Sequence, residues 1–271
     1  MKKFLKKTSL FLVTAAMTVS APLMAWALEH DIVILHTNDI HCGINDNIGF
    51  AGLAQIKKDA LARTPNVALV DAGDAIQGAP IGKLSRGLAV VDIMNYLGYD
   101  FCIPGNHEFD YGMERFLELV PLQRAGYYCA NFVYAGNNKQ VLPGYKIMQY
   151  EDTKVAFVGA STPESLTTST PTFFQNEKGK YIYSFCEDKT GNKLYKQLQK
   201  NIDKARKDGA DYVFIVGHLG MDGTTPQWSS ESVAKNTQGV DAVIDGHSHV
   251  SPVWLKIKSA RTCCWRKQAL S

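Results

Sequence analysis

The chain has 271 residues, a hydrophobic fraction of 45% and a formal net charge of +3. The charge is unevenly placed: residues 1–27 carry +4, residues 251–271 carry +5 with no acid, and residues 28–250 therefore carry −6. An acidic central region lacks the basic footprint that a nucleic-acid polymer requires, but it does not exclude a small anionic ligand held through cations.

Residues 1–27 read as a signal peptide. Lys2, Lys3, Lys6 and Lys7 precede an apolar run over 9–22, and Ala25-Trp26-Ala27 offers small residues at cleavage-site spacing. The run is shorter than the roughly 20 residues of a bilayer-spanning helix, so no stable membrane span is expected after cleavage. The expected protein is exported, periplasmic or extracellular. Residues 28–250 suffice for one substantial domain with its own core; oligomeric state is not legible. The six cysteines include no zinc-ribbon spacing, and Cys102 and Cys129 are expected as buried free thiols.

Apolar runs bounded by turn residues then alternate with helical periods. A strand over 31–35 precedes a helix over 50–62, a strand over 67–70 a helix over 89–97, and a strand over 101–103 a helix over 113–124. Two strands follow over 145–149 and 154–159, joined by a turn at Glu151-Asp152. The Ser-, Thr- and Pro-rich stretch 161–172 reads as a loop, 193–207 as a long helix, and 212–216 and 242–244 as strands. This order predicts an α/β domain with buried, largely parallel strands, whose ligand groups lie on loops at the strands' carboxyl ends.

Five strand ends carry metal-competent side chains. They are His36-Thr-Asn-Asp39-Ile-His41, Asp71-Ala-Gly-Asp74, Gly105-Asn106-His107-Glu108-Phe109-Asp110, Gly217-His218 and Asp245-Gly246-His247-Ser248-His249. Any one Asp or His after a strand is usually a cap or turn residue. Five in succession, holding His41, His107, His218, His247 and His249 out of seven histidines, point to a shared site. Mixed carboxylate, imidazole and amide donors suit Zn²⁺, Mn²⁺, Fe²⁺ or Co²⁺ rather than a thiolate-bound structural zinc. Two such ions, about 3.5–4 Å apart, need a bridging carboxylate and clamp a phosphoryl oxygen. A phosphoester hydrolase also needs a proton donor for the leaving oxygen, and His107 with Asp110 three residues on supplies an oriented pair.

These blocks resemble the calcineurin-like metallophosphoesterase superfamily, and within it the exported 5′-nucleotidase branch. The resemblance spans residues 35–249 in the family's order, and Asn106-His-Glu-Phe-Asp110 followed by Tyr-Gly112 is its most specific part. It implies a four-layer α/β/β/α sandwich with two divalent metal ions. Asp39, His41 and His249 would hold the first ion, Asn106, His218 and His247 the second, and Asp74 would bridge them. Some relatives carry another ligand type, such as Gln, at the position of His249. The resemblance further implies that His107 contacts the phosphate and that Asp110 orients it. A hydroxide held between the ions would attack a nucleotide phosphomonoester. A 2′,3′-cyclic-nucleotide phosphodiesterase with 3′-nucleotidase activity shares the motifs, and an inactive metal-binding remnant is the third alternative.

The family's longer members add a second domain that supplies aromatic and Arg side chains to the substrate. Only 22 residues follow His249 here. The stretch 251–271 is basic, shows no strand alternation and is atypical; a frameshift would account for it. The sheet is accordingly expected to lack its C-terminal strands.

Overall fold

A computed structural model describes residues 31–221 and 225–249 in full, together with the backbone of strands at 10–12, 253–258 and 263–268. One sheet contains β1 (Leu10–Leu12), β2 (Ile32–Thr37), β3 (Val67–Asp71) and β4 (Phe101–Cys102) in that order, all parallel. Helix α1 (Gly49–Leu61) crosses from β2 to β3; α2 (Pro80–Ser85) and α3 (Leu88–Leu97) cross from β3 to β4. After β4 come α4 (Met113–Leu119) and β5 (Val133–Tyr134).

The second sheet begins with the hairpin of β6 (Tyr145–Tyr150) and β7 (Thr153–Ser161). The chain then passes through α5 (Ser165–Thr168) and β8 (Tyr183–Ser184), which pairs with β5 in a small ribbon. Helix α6 (Asn192–Lys207) leads into β9 (Tyr212–His218), and α7 (Ser230–Asn236) into β10 (Ala242–Ile244). Strands β7, β9 and β10 are parallel, and β11 (Val253–Lys258) with β12 (Cys263–Gln268) continues the sheet beyond β10 as an antiparallel hairpin.

Side-chain alternation along the strands builds the layers. In the first sheet Val33, Leu35 and Leu69 face α1 and α3, whereas Ile32, Ile34, Ala68 and Val70 face the second sheet. In the second sheet Val155, Phe157, Phe214, Val216 and Ile244 meet them. The alternate residues Ala156, Val158, Val213, Ile215 and Val243 pack against α6 and α7. Helix α6 contributes Leu194, Leu198, Ile202 and Ala205, one apolar stripe at helical spacing. Three cores between four layers give the expected α/β/β/α sandwich, with strands buried on both faces.

Three expectations change. The helix expected over 113–124 stops at Leu119 and gives way to a 3₁₀ turn, Val120–Leu122, because Pro121 has no N–H to continue the ladder. The stretch 251–271, read as lacking strand alternation, nevertheless contributes β11 and β12. Antiparallel pairing to the open edge of β10 supplies the backbone order that side-chain alternation does not. Three residues of the expected signal peptide pair with β2 as β1; the rest of residues 1–27, including the expected cleavage site, lie outside the described residues. No helix among the described residues is long and apolar enough to cross a membrane. Cys42, Cys102, Cys129 and Cys186 are buried and free.

Candidate metal centre

The loops after β2, β3, β4 and β10, together with the last residue of β9, converge at the carboxyl ends of the two sheets. The first two run side by side through backbone bonds: Asp39 N to Gly73 O at 3.0 Å, His41 N to Asp74 O at 2.8 Å and Cys42 N to Ala75 O at 3.0 Å. The third loop approaches so closely that a Cβ on Gly105 would lie 2.3 Å from Asp74 Oδ1. Only glycine permits that contact.

Backbone conformation sets this region apart. Asp39, His41, Asp74, His247 and His249 all have positive φ, between 46° and 77°. An L-residue in this left-handed region carries roughly 1–2 kcal/mol of strain, so the surrounding hydrogen bonds hold these side chains in place at the backbone's expense.

Two groups of donors result. Asp39, His41 and His249 bring one ligand atom each to within 4.8 Å of one another, and Asp74, His218 and His247 do the same. Each group draws on both sheets: Asp39, His41 and Asp74 come from the first, His218, His247 and His249 from the second. Asp74 lies between the groups. Its Oδ2 is 2.9 Å from His218 Nε2 and 3.9 Å from His41 Nε2, while its Oδ1 accepts the His107 N–H at 2.8 Å. One carboxylate oxygen is thus left facing both groups.

The donor atoms fit divalent ions. His41 Nδ1 donates to Gln77 O at 3.1 Å and His218 Nδ1 to Ala72 O at 2.8 Å, which fixes both rings and leaves each Nε2 as a lone-pair donor. His41 Nε2 and Asn106 Oδ1 are buried without a hydrogen-bond partner, and orphaned acceptors of that kind suit a cation. Burial opposes the charge on Asp74, but His218 and His107 overcome it and hold the carboxyl well below the usual carboxylate range. Burial likewise opposes a proton on His218, yet Asp74 raises it to about 10; a cation on Asp74 and His218 would take that proton's place. Burial and the neighbouring His218 keep His247 below its ordinary value, in the neutral form a metal requires. His249 is the exposed member, its side chain 66% accessible.

His107 and Asp110 stand beside the first group. His107 Nδ1 is 2.6 Å from Asp110 Oδ2, and the His107 ring meets the His41 ring edge-on at 5.2 Å. The bond to Asp110 raises the His107 pKa against partial burial. His107 opens a 3₁₀ turn, His107–Phe109, and Asp110 closes it; Phe109 anchors the turn against Phe116, Phe132, Phe174 and Phe185 at centroid distances of 4.9–5.6 Å. Aromatic packing thus fixes the His107–Asp110 pair at the surface of the core.

All nine site residues singled out from the sequence meet in this region. Three others escaped that reading. Glu108, 1% exposed, accepts N–H bonds on Oε2 from Gly105 (2.6 Å) and Asp74 (2.8 Å), and on Oε1 from Ala75 (2.8 Å) and Ile76 (3.3 Å). It ties the Asp74 loop to the Asn106 loop. Its signal was a carboxylate between His107 and Phe109, a position too buried for a solvated charge. Glu164 and Ser169, beside His247 and Asp110, lie in the stretch read as a loop and had no signal.

Residues 32–251 match the calcineurin-like phosphoesterase family model. The chain belongs to that family. It is 29% identical over 259 residues to the snake venom 5′-nucleotidase of Gloydius brevicauda, covering 89% of this chain and 40% of the relative. It is 26% identical over 269 residues to a 2′,3′-cyclic-nucleotide 2′-phosphodiesterase/3′-nucleotidase of Haemophilus influenzae, covering 87% and 39%. The solved calcineurin-like phosphoesterase YfkN of Bacillus subtilis superposes with a TM-score of 0.67 at 25% identity, over 80% of this chain and 71% of that one. The chain spans about 40% of the length of the first of these relatives. Membership in a metallophosphoesterase family implies divalent metal ions, and the two donor groups are where this chain would hold them.

Proposed function

We propose that this chain carries the hydrolytic centre of a 5′-nucleotidase: it cleaves nucleotide phosphomonoesters with two divalent ions. Asp39, His41 and His249 would hold one ion, Asn106, His218 and His247 the other, and Asp74 would bridge. The observation that carries the reading is Asp74 Oδ2, which lies 2.9 Å from His218 Nε2 of one donor group and 3.9 Å from His41 Nε2 of the other, with the His107–Asp110 pair alongside. When bound, such ions supply Lewis acidity toward phosphoryl oxygens and acidify water. The chain's own residues do the rest. Asp74 keeps a buried negative charge where two cations need one. Asp110 occupies His107 Nδ1, so His107 presents Nε2 to the leaving oxygen as proton donor. The charge of −6 on residues 28–250 argues against a nucleic-acid polymer and leaves open a small nucleotide held through cations. Export is part of the proposal, resting on the basic and apolar pattern of residues 1–27.

A second reading, hydrolysis of 2′,3′-cyclic nucleotides and 3′-nucleotides, is supported by the Haemophilus influenzae relative. The deciding experiment strips the full chain with chelator, reloads it with Zn²⁺, Mn²⁺, Fe²⁺ or Co²⁺, and follows phosphate release from 5′-AMP, 3′-AMP, 2′,3′-cyclic AMP and an aryl phosphate. Ion-dependent preference for 5′-AMP supports the proposal, and preference for the other two nucleotides supports the second reading. Tight ion binding without turnover of any substrate would leave a metal-binding remnant and overturn both.

A further inference from the structure

Between β7 and β8 the chain crosses the site on a segment held down at three points. Thr162 N donates to His218 O at 2.8 Å, Leu166 is buried in the helix-side core of the first sheet, and Phe174 meets Phe109 edge-on at 5.2 Å. Between these anchors, the Thr167 and Thr168 N–H groups bond to Glu164 O at 2.8 Å, and Ser169 N bonds to Ser165 O at 3.3 Å. Residues 164–169 thus form one short, internally bonded unit.

Each end of that unit meets a different half of the site. Glu164, 8% exposed, places Oε2 at 3.6 Å from His247 Nε2. His247 Nδ1 faces His218 Nε2 at 3.3 Å, so the nitrogen that Glu164 meets is the one turned away from the donor group. A carboxylate on that side of a metal-binding histidine favours the tautomer with its proton on Nε2, which leaves Nδ1 as the lone-pair donor. At the other end Ser169 Oγ donates to Asp110 Oδ1 at 2.9 Å, while Asp110 Oδ2 holds His107 Nδ1 at 2.6 Å. Ser169 therefore sets the rotation of the Asp110 carboxylate and keeps one oxygen on the imidazole.

We infer that residues 164–169 form a positioning strap for both halves of the centre: Glu164 orients His247 toward the second ion, and Ser169 orients the His107–Asp110 pair. The inference rests on the metal-dependent reading above. The strap makes no contact of its own with the phosphate; it acts through the two histidines.

The test uses Glu164→Gln and Ser169→Ala in the full chain, with ion binding measured by titration calorimetry using Mn²⁺ or Co²⁺ alone. Glu164→Gln is expected to weaken the second ion at least about tenfold and leave the first unchanged. Glu164→Asp, which retains the charge, should recover part of that loss. Ser169→Ala is expected to bind both ions as wild type and to turn over 5′-AMP about fivefold more slowly, the loss expected from one hydrogen bond. It should hydrolyse an aryl phosphate at the wild-type rate, because a weakly basic leaving oxygen needs little proton donation. Ser169→Thr should restore the 5′-AMP rate. Wild-type ion binding in Glu164→Gln, or equal losses on both substrates in Ser169→Ala, would overturn the strap while the metal-dependent reading stood. If the wild-type chain bound no ion, both would fall together.

Discussion

Glu108→Gln is expected to destabilise the metal-free protein by about 2–4 kcal/mol. Each oxygen of the Glu108 carboxylate serves two backbone N–H groups, Gly105 and Asp74 on one side, Ala75 and Ile76 on the other. Glutamine retains one acceptor oxygen, so one pair of donors faces an amide NH₂ instead. A buried donor without an acceptor costs about 1–3 kcal/mol, which for two donors gives roughly 2–6 kcal/mol. Part of that is offset. Burial, and then the charge on Asp74, already push Glu108 up to about 7, and a neutral amide escapes that penalty. Urea denaturation of chelator-treated protein measures the difference directly through the midpoint and slope. Chelation matters because bound ions would add their own stabilisation and mask the loss. A loss below about 0.5 kcal/mol, the scale of an ordinary surface substitution, would refute the clamp and the loop geometry built on it.

Asp74→Asn should lower the affinity for both ions, since Oδ2 faces both donor groups; calorimetric loss of only one ion would contradict the bridging role. His107→Ala should slow 5′-AMP hydrolysis about 10²–10⁴-fold with two ions still bound, and an unchanged rate would remove His107 as proton donor. Gly105→Ala would place a Cβ 2.3 Å from Asp74 Oδ1 and so displace that carboxylate. Weaker binding of both ions is the expected readout, and a crystal structure with Asp74 unmoved would count against it.

The sequence made the strands and their ends legible because strands buried on both faces read as short apolar runs. Leu69 and Val70 are fully buried on opposite faces of β3, and Asp71 and Asp74 follow directly. The nine site residues stood out for the same reason: a change from apolar to His, Asp or Asn at a strand end is abrupt. Short elements were less visible. Helix α2 has six residues, starts on Pro80 and leaves Ile81 and Leu84 exposed, so it offers no amphipathic period. Helix α7 is seven residues long behind the Ser229 cap, too short for a repeat to show. Glu108 stood inside a recognised block, but its role depends on four backbone N–H groups from two loops that meet only after folding. Glu164 and Ser169 were illegible for the same physical reason, since each acts on a residue at least 59 positions away.

Each donor group takes ligands from both sheets, so a bound ion acts as a gauge of the distance between them. Stacked sheets sit about 10 Å apart, and metal–ligand bonds tolerate deviations of only about 0.2 Å. The filler that sets this spacing lies away from the ligands: Phe157 packs against Phe101 at 5.7 Å and Phe214 at 5.8 Å between the layers. Trimming Phe157 to Leu would allow the layers to settle together there and tilt the loops carrying Asp39 and His41 relative to those carrying His247 and His249. Weaker ion binding in Phe157→Leu is therefore the expected result, a dependence on hydrocarbon volume in a core that no ligand residue lines.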